Sequence, residues 1–349
     1  FYHQESLASG SRIREKLSDA VEESIKTLAN GFLSHPQNES LTQLFADKQL
    51  TADNYYLYQL RLIYRILFLI VLEERKLVYQ PNRDEETERL RKIYFNFYSI
   101  ERLRKLAENR VYVDADKHDL WQSLKATFLL FENENLGQKL AIKPLGSGLF
   151  APGALGIIDQ LEMTNGNLLA VLRKLTTFFN DQGQLVRVNY SDLDVEEFGS
   201  VYEGLLEYDP SVQQIGAVWE FSFIKGDKRS RSGSHYTPEE LVKPLIKHSL
   251  DYVIEERLKN PEKYLTKEQI TTLSSHADSS FPPSGGIKGG SLLTIRVCDV
   301  ACGSGHILLS AARRIATELA SIREGAEQPS PAYYRAALRD VIKNCIYGV

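Results

Sequence analysis

Val297-Cys-Asp-Val-Ala-Cys-Gly-Ser-Gly-His-Ile-Leu-Leu309 carries the sharpest signal in the sequence. Leu292 to Val300 is a near-continuous apolar run with β-branched residues, which predicts a strand buried on both faces of a parallel sheet. The run ends in an acid, Asp299, turns through Gly303-Ser304-Gly305 and enters a helical pattern from about His306 to Ile322. A second helical pattern, Ala332 to Asn344, leads to Ile346-Tyr-Gly-Val349, so the C-terminal third reads as a βαβ unit with one extra helix. Two glycines one residue apart let the backbone turn tightly and approach a ligand without a Cβ in the way. The helix behind them begins with unpaired N–H groups.

A turn of this kind at the carboxyl end of a strand is where open α/β sheets bind nucleotides. A dinucleotide fingerprint needs a third glycine, but Leu308 stands there; a phosphate loop of the GxxxxGK type needs a lysine, and none is present. S-adenosylmethionine needs no phosphate cradle. It needs a close glycine turn for its methionine portion and an acid near its amino group, which Asp299 can supply, and this reading fits best.

A length of 349 residues favours two domains over one. With 43% hydrophobic and 25% charged residues the composition is that of a globular chain, which excludes collagen-like, disordered and disulfide-scaffold classes. A net charge of −4 supplies no global attraction to nucleic acid or an anionic membrane, so such a partner must meet a local patch. Leu60 to Leu72 carries Arg61 and Arg65 and is too short to span a bilayer, so it reads as a core helix and no membrane association is expected. Cys298, Cys302 and Cys345 form no CxxC pair, and a reducing, cytoplasmic compartment is expected. Seven scattered histidines without a Cys/His cluster predict no metal site.

From Ser11 to about Arg110 apolar residues recur at helical spacing. Helical patterns return at Asp119 to Glu132 and Gly166 to Phe179, and Ser191 with Asp194 introduces a further helix, Val195 to Tyr208. Val218 to Ile224 alternates at period two, which predicts a strand, and Lys225-Gly-Asp-Lys-Arg-Ser-Arg-Ser-Gly233 follows as a basic linker. After a helix over Glu239 to Arg257, Ser274 to Ser291 reads as a mobile loop rich in Ser, Gly and Pro. The expected organisation is a mainly α N-terminal domain at 1–215, a strand and basic linker at 216–232, and at 233–349 the start of an α/β Rossmann-like domain. The chain opens on Phe1 and closes on an apolar run, so it is expected to be a piece of a longer polypeptide.

Gly233-Ser-His-Tyr-Thr-Pro-Glu-Glu-Leu241 is the second signal. Thr237 as N-cap, Pro238 at the first helical position and Glu240 completing a capping box account for its second half but not for His235 and Tyr236. Taken with the glycine turn some sixty residues on, Ser234-His-Tyr-Thr-Pro238 resembles motif X, and Asp299-Val-Ala-Cys-Gly-Ser-Gly-His306 resembles motif I, of N6-adenine DNA methyltransferases in which motif X comes first. Tyr64 to Leu77, Gly148-Leu-Phe150 and Phe198 to Glu207 are similar to segments of the Eco57I-type restriction-modification methylases and related phage-defence methylases of BREX or DISARM-like systems.

The resemblance implies a transferase that methylates adenine N6 in double-stranded DNA, with restriction or defence-system subunits as further partners. Asp299, Ala301, Cys302, Gly303, Ser304 and Gly305 would hold S-adenosylmethionine, with His235, Tyr236 and Thr237 closing the pocket. Val300 replaces the proline of many relatives, and an acid just past Val349 would bind the ribose. The Asn-Pro-Pro-Tyr tetrapeptide that accepts the amino hydrogens and stacks the flipped base is absent from the 349 residues, so no catalytic residue is assigned and this segment is expected at most to bind cofactor. Lys225, Lys228, Arg229 and Arg231 are the candidate DNA-phosphate contacts. Glu73-Glu-Arg-Lys76 resembles a nuclease ExK pair but reads better as a solvated helix end. The alternative to the methylase is a non-catalytic helical scaffold, or a module binding DNA or a partner, in which the glycine turn serves no cofactor.

Overall fold

The computed structural model describes residues 2–81, 83–109, 113–180, 182–191, 199, 201, 204–205, 208–225, 237, 239–275, 285–303 and 305–349, with the backbone alone for 2–16, 225 and 275. The chain divides into two units, Phe1–Ser232 and Gly233–Val349.

The first unit is built around α3 (Ala52–Glu74), whose residues Leu62, Ile63, Ile66 and Ile70 are all buried. Around it lie α1 (Tyr2–Ser34), α2 (Glu39–Ala46), α4 (Glu85–Phe97), α5 (Ile100–Glu108), α6 (Asp119–Glu132), α7 (Glu134–Gln138) and α8 (Asn165–Thr176). Several helices start at a side-chain cap that accepts one of the otherwise unpaired N–H groups: Thr51 from Asn54, Asp84 from Thr87, Ser99 from Arg102 and Thr164 from Asn167. Buried polar side chains tie the elements together where apolar packing alone would leave orientation loose. Tyr55 donates to the carbonyl of Ala29 at 2.8 Å and Trp121 to that of Leu161 at 2.7 Å. By length and composition α3 could cross a membrane, yet 61% of its apolar window is buried within this unit, as befits a core helix.

Two hairpins modify the helical expectation. The helix foreseen to Phe179 ends at Thr176, and Thr177–Phe179 forms β1, antiparallel to β2 (Leu185–Arg187). β-branched Thr176 and Thr177 and the paired phenylalanines suit a pleated edge better than a last helical turn. Of the helix foreseen over Val195 to Tyr208, the described residues Gly199, Val201, Gly204 and Leu205 are helical. Tyr208 already opens β3 (Tyr208–Ile215), which pairs antiparallel along its whole length with β4 (Val218–Lys225). Gly216, at φ +63°, makes the two-residue turn between them. The strand placed in a linker at 216–232 therefore belongs to the first unit's core: Phe221 and Phe223 are buried, and Asn30 of α1 bonds both the N–H and the carbonyl of Phe221.

Gln59 of α3 is fully buried, and neither its amide oxygen nor its nitrogen has a hydrogen-bond partner among the described residues. An unpaired buried amide costs more than an apolar side chain of similar size, so Gln59→Leu is expected to stabilise this unit by about 1–2 kcal/mol in urea denaturation. A loss of stability would mean that the amide is hydrogen-bonded in solution.

The second unit comprises α9 (Glu239–Lys259), α10 (Lys267–Ser275), α11 (Gly286–Leu292), β5 (Val297–Asp299), α12 (His306–Glu324), α13 (Pro331–Cys345) and β6 (Ile346–Gly348). Its core joins Leu250 and Ile254 of α9 to Ile315 and Leu319 of α12 and Val341 and Cys345 of α13. Ala311, Ala312, Ala316 and Ala320 give α12 a small-residue surface buried in that core. Arg314 pairs with Asp251 and Arg323 with Asp340, both at 2.7 Å, locking α12 to α9 and α13.

Two expectations change here. Ser274 to Ser291, read as a mobile loop, contains the end of α10 and most of α11, with residues 276–284 outside the described set. The strand foreseen over Leu292 to Val300 shrinks to Val297–Asp299, because Leu292 closes α11 and, with Ile295, fills the core from a turn. A short apolar run carries no periodicity by which helix and strand can be told apart. Nor is this strand buried on both faces: Cys298 is exposed and Val300 is 79% exposed. Among the described residues β5 has one partner, β6, in a parallel pair that registers Val297 with Ile346 and Asp299 with Gly348.

Candidate cofactor site

The glycine turn lies between β5 and α12. Gly303 and Gly305 have φ of +50° and +78°, the left-handed region that residues with a Cβ enter at a cost. Gly305 is the N-cap of α12, and its N–H closes a turn on the carbonyl of Cys302 at 2.7 Å. One Asp299 carboxylate oxygen accepts the N–H of Ala301 at 3.1 Å, so the acid braces the first bend. A Cβ built on Gly305 would meet no atom of the described residues within 4 Å, so among them the space over the turn is open.

β6 supports the turn from the other side. The N–H of Val349 donates to the Asp299 carbonyl, and the N–H of Cys302 to that of Val349, continuing the parallel ladder into the loop. A Cβ on Gly348 would lie 2.8 Å from Leu308 and 2.9 Å from the Cys302 sulfur, so only glycine lets the strand pass this close. Nothing in the sequence reading singled out Gly348. Its signal, a glycine within a short apolar run, is legible only once the partner strand is known.

The two motif regions, far apart in the chain, meet at one side chain. His306, the first residue of α12, is buried, and its Nδ1 lies 3.1 Å from the carbonyl oxygen of Thr237. That places Thr237 against the glycine turn. His235, Tyr236 and Ser304 lie outside the described residues. So do Lys228, Arg229 and Arg231, while Lys225 ends β4 with its backbone alone described. Cys302 is half-buried, and burial pushes the Cys345 thiol up to about 11, as suits a core side chain rather than a nucleophile. Among the described residues no group of three His, Cys, Asp or Glu could hold a metal ion.

The end of α3 corrects the solvated reading of Glu73-Glu-Arg-Lys76. Glu73 is buried and accepts three hydrogen bonds, from the Tyr94 hydroxyl at 2.6 Å and from the N–H groups of Ile100 and Glu101 at 2.8 Å each. It thus serves the N-terminus of α5, where an anion meets unpaired N–H groups. Glu74 pairs with Arg104 and accepts the N–H groups of Tyr190 and Ser191. Both carboxylates are engaged in holding helix ends and loops.

The upstream segments converge on α3 as well. Arg65, 1% exposed, pairs with Glu132 and donates from Nε to the carbonyl of Leu149 at 2.7 Å and from Nη2 to that of Ala151 at 3.3 Å. Its guanidinium lies over the rings of Phe128 and Phe150. Tyr56 donates to the carbonyl of Leu205 at 2.6 Å. No protein-family model, curated protein or solved structure matches the chain.

Proposed function

We propose that this chain is the N-terminal and cofactor-binding portion of an S-adenosylmethionine-dependent DNA adenine-N6 methyltransferase of a restriction or phage-defence system, with residues 233–349 opening its Rossmann-like domain. The observation that carries the reading is the contact between His306 and Thr237, which joins the Ser-His-Tyr-Thr-Pro segment to the glycine turn. Neither capping of α9 nor an ordinary strand-to-helix turn requires that contact. The residues present suit the cofactor: two left-handed glycines, space over Gly305 that is open among the described residues, and the positive end of the α12 dipole. Gly303 and Gly305 would accept the methionine portion, Asp299 would brace the turn and lie near its amino group, and Thr237 would border the pocket. S-adenosylmethionine, when bound, supplies the methyl group. Double-stranded DNA would be the substrate, approached through the basic segment Lys225 to Arg231.

Calorimetric titration of the chain with S-adenosylmethionine and S-adenosylhomocysteine tests this. Saturable binding is expected, and Gly305→Trp, which projects a large side chain into the open space over the turn, is expected to abolish it. Gly305→Asn separates backbone strain from occlusion, because asparagine tolerates the left-handed region better than other residues with a side chain. Binding unaltered by Gly305→Trp would remove the turn from the account, and NAD binding in its place would favour a dinucleotide site.

A further inference from the structure

Exposed cations on several helices of this protein are paired with an acid about one turn away: Arg89 with Glu86, Lys105 with Glu101, Lys243 with Glu239 and Lys259 with Glu255. α13 departs from that habit. Arg335, Arg339 and Lys343 stand four residues apart, are all exposed, and make no hydrogen bond or ion pair among the described residues. The acid nearest to them in the helix, Asp340, is held by Arg323 at 2.7 Å. Each cation comes two residues before a buried side chain, Ala337, Val341 and Cys345, and so points about 200° away from it, on the face opposite the core. Exposed Ala332 and Ala336 lie beside the row and leave its charged heads uncovered. Like charges four residues apart destabilise a helix, so the row costs stability and adds no contact to the fold.

We propose that this face of α13 lies along the phosphate backbone of duplex DNA, a contact surface apart from the basic segment Lys225 to Arg231. An evenly spaced row of cations suits a polymer of evenly spaced anions. Arg335 and Lys343 are about 12 Å apart along the helix, which spans roughly three to four phosphates of one strand at about 3.4 Å each along the duplex axis. The contact carries no sequence information, because phosphates position a protein and bases specify the site. Only the identity of the polyanion, DNA, rests on the methylase reading.

Fluorescence anisotropy of a labelled short duplex, titrated with the chain at three salt concentrations between about 50 and 200 mM, tests this. The triple variant Arg335→Gln, Arg339→Gln, Lys343→Gln is expected to bind about tenfold or more weakly and to flatten the slope of log K against log salt by up to about 2.7, about 0.9 for each cation. Circular dichroism and a urea midpoint no lower than that of the wild type establish that the variant is folded. A control replaces three other exposed cations of the same unit, Lys247, Lys267 and Lys288, by Gln, and is expected to change the slope far less. No duplex binding by the wild type, an unchanged slope in the triple variant, or an equal loss in the control would overturn the assignment. So would displacement of the duplex by polyglutamate as readily as by unlabelled DNA, which would assign an acidic protein surface as the partner. If the chain binds duplex through the row but takes up no S-adenosylmethionine in calorimetry, the row stands and the methylase reading falls.

Discussion

Arg65→Ala is expected to destabilise the helical unit by about 3–5 kcal/mol, the cost of breaking a buried ion pair from one side. The substitution strands Glu132, whose carboxyl burial already raises and which Arg65 pulls back down. It also frees the carbonyls of Leu149 and Ala151 and empties the space over the Phe128 and Phe150 rings. Both tryptophans, Trp121 and Trp219, lie in this unit, so their fluorescence in urea reports its unfolding. The double change Arg65→Met with Glu132→Leu replaces the pair by apolar side chains of similar reach and is expected to cost markedly less than the single alanine. Equal losses in the two variants would place the stabilisation in the carbonyl contacts rather than in the pair.

At Glu73 the expected effect depends on pH. Burial pushes this carboxyl from 4.5 up to about 7, against the pull of Tyr94 and the N–H groups of Ile100 and Glu101 toward lower values. Between those two values the folded chain holds a proton that the unfolded chain has released. Its contribution to stability is therefore fully present below about pH 4.5 and declines as pH rises to about 7, by on the order of 3 kcal/mol. Glu73→Gln cannot titrate, so the stability difference between wild type and this variant isolates the term. Wild type is expected to be most favoured at low pH, with the gap narrowing to a constant above about pH 7. A gap that widens with pH would show that the three donors outweigh burial. Glu73→Ala leaves all three donors without an acceptor and is expected to cost about 3 kcal/mol or more across the range.

Local pattern was enough for much of the helical architecture. The apolar run of Leu60 to Leu72 marks α3 because helical spacing survives whatever surrounds it. The glycine turn was equally legible, since a left-handed backbone at Gly303 and Gly305 is a property of those residues. Strand length was not. Leu292 to Arg296 is as apolar as a buried strand but ends a helix and fills a core, a choice made by neighbours the sequence does not reveal.

The fate of the charges was also decided in three dimensions. Glu73 and Glu74 read as solvated, yet α5 and Tyr190 close over them, and the same closure buries Arg104 with one edge of its guanidinium unpaired. Thr237 and His306 drew attention only through the resemblance of their segments to methylase motifs X and I. Only the packing of α12 behind β5 brings them to 3.1 Å, because a contact between residues 69 positions apart depends on how helices and strands assemble and not on local preference.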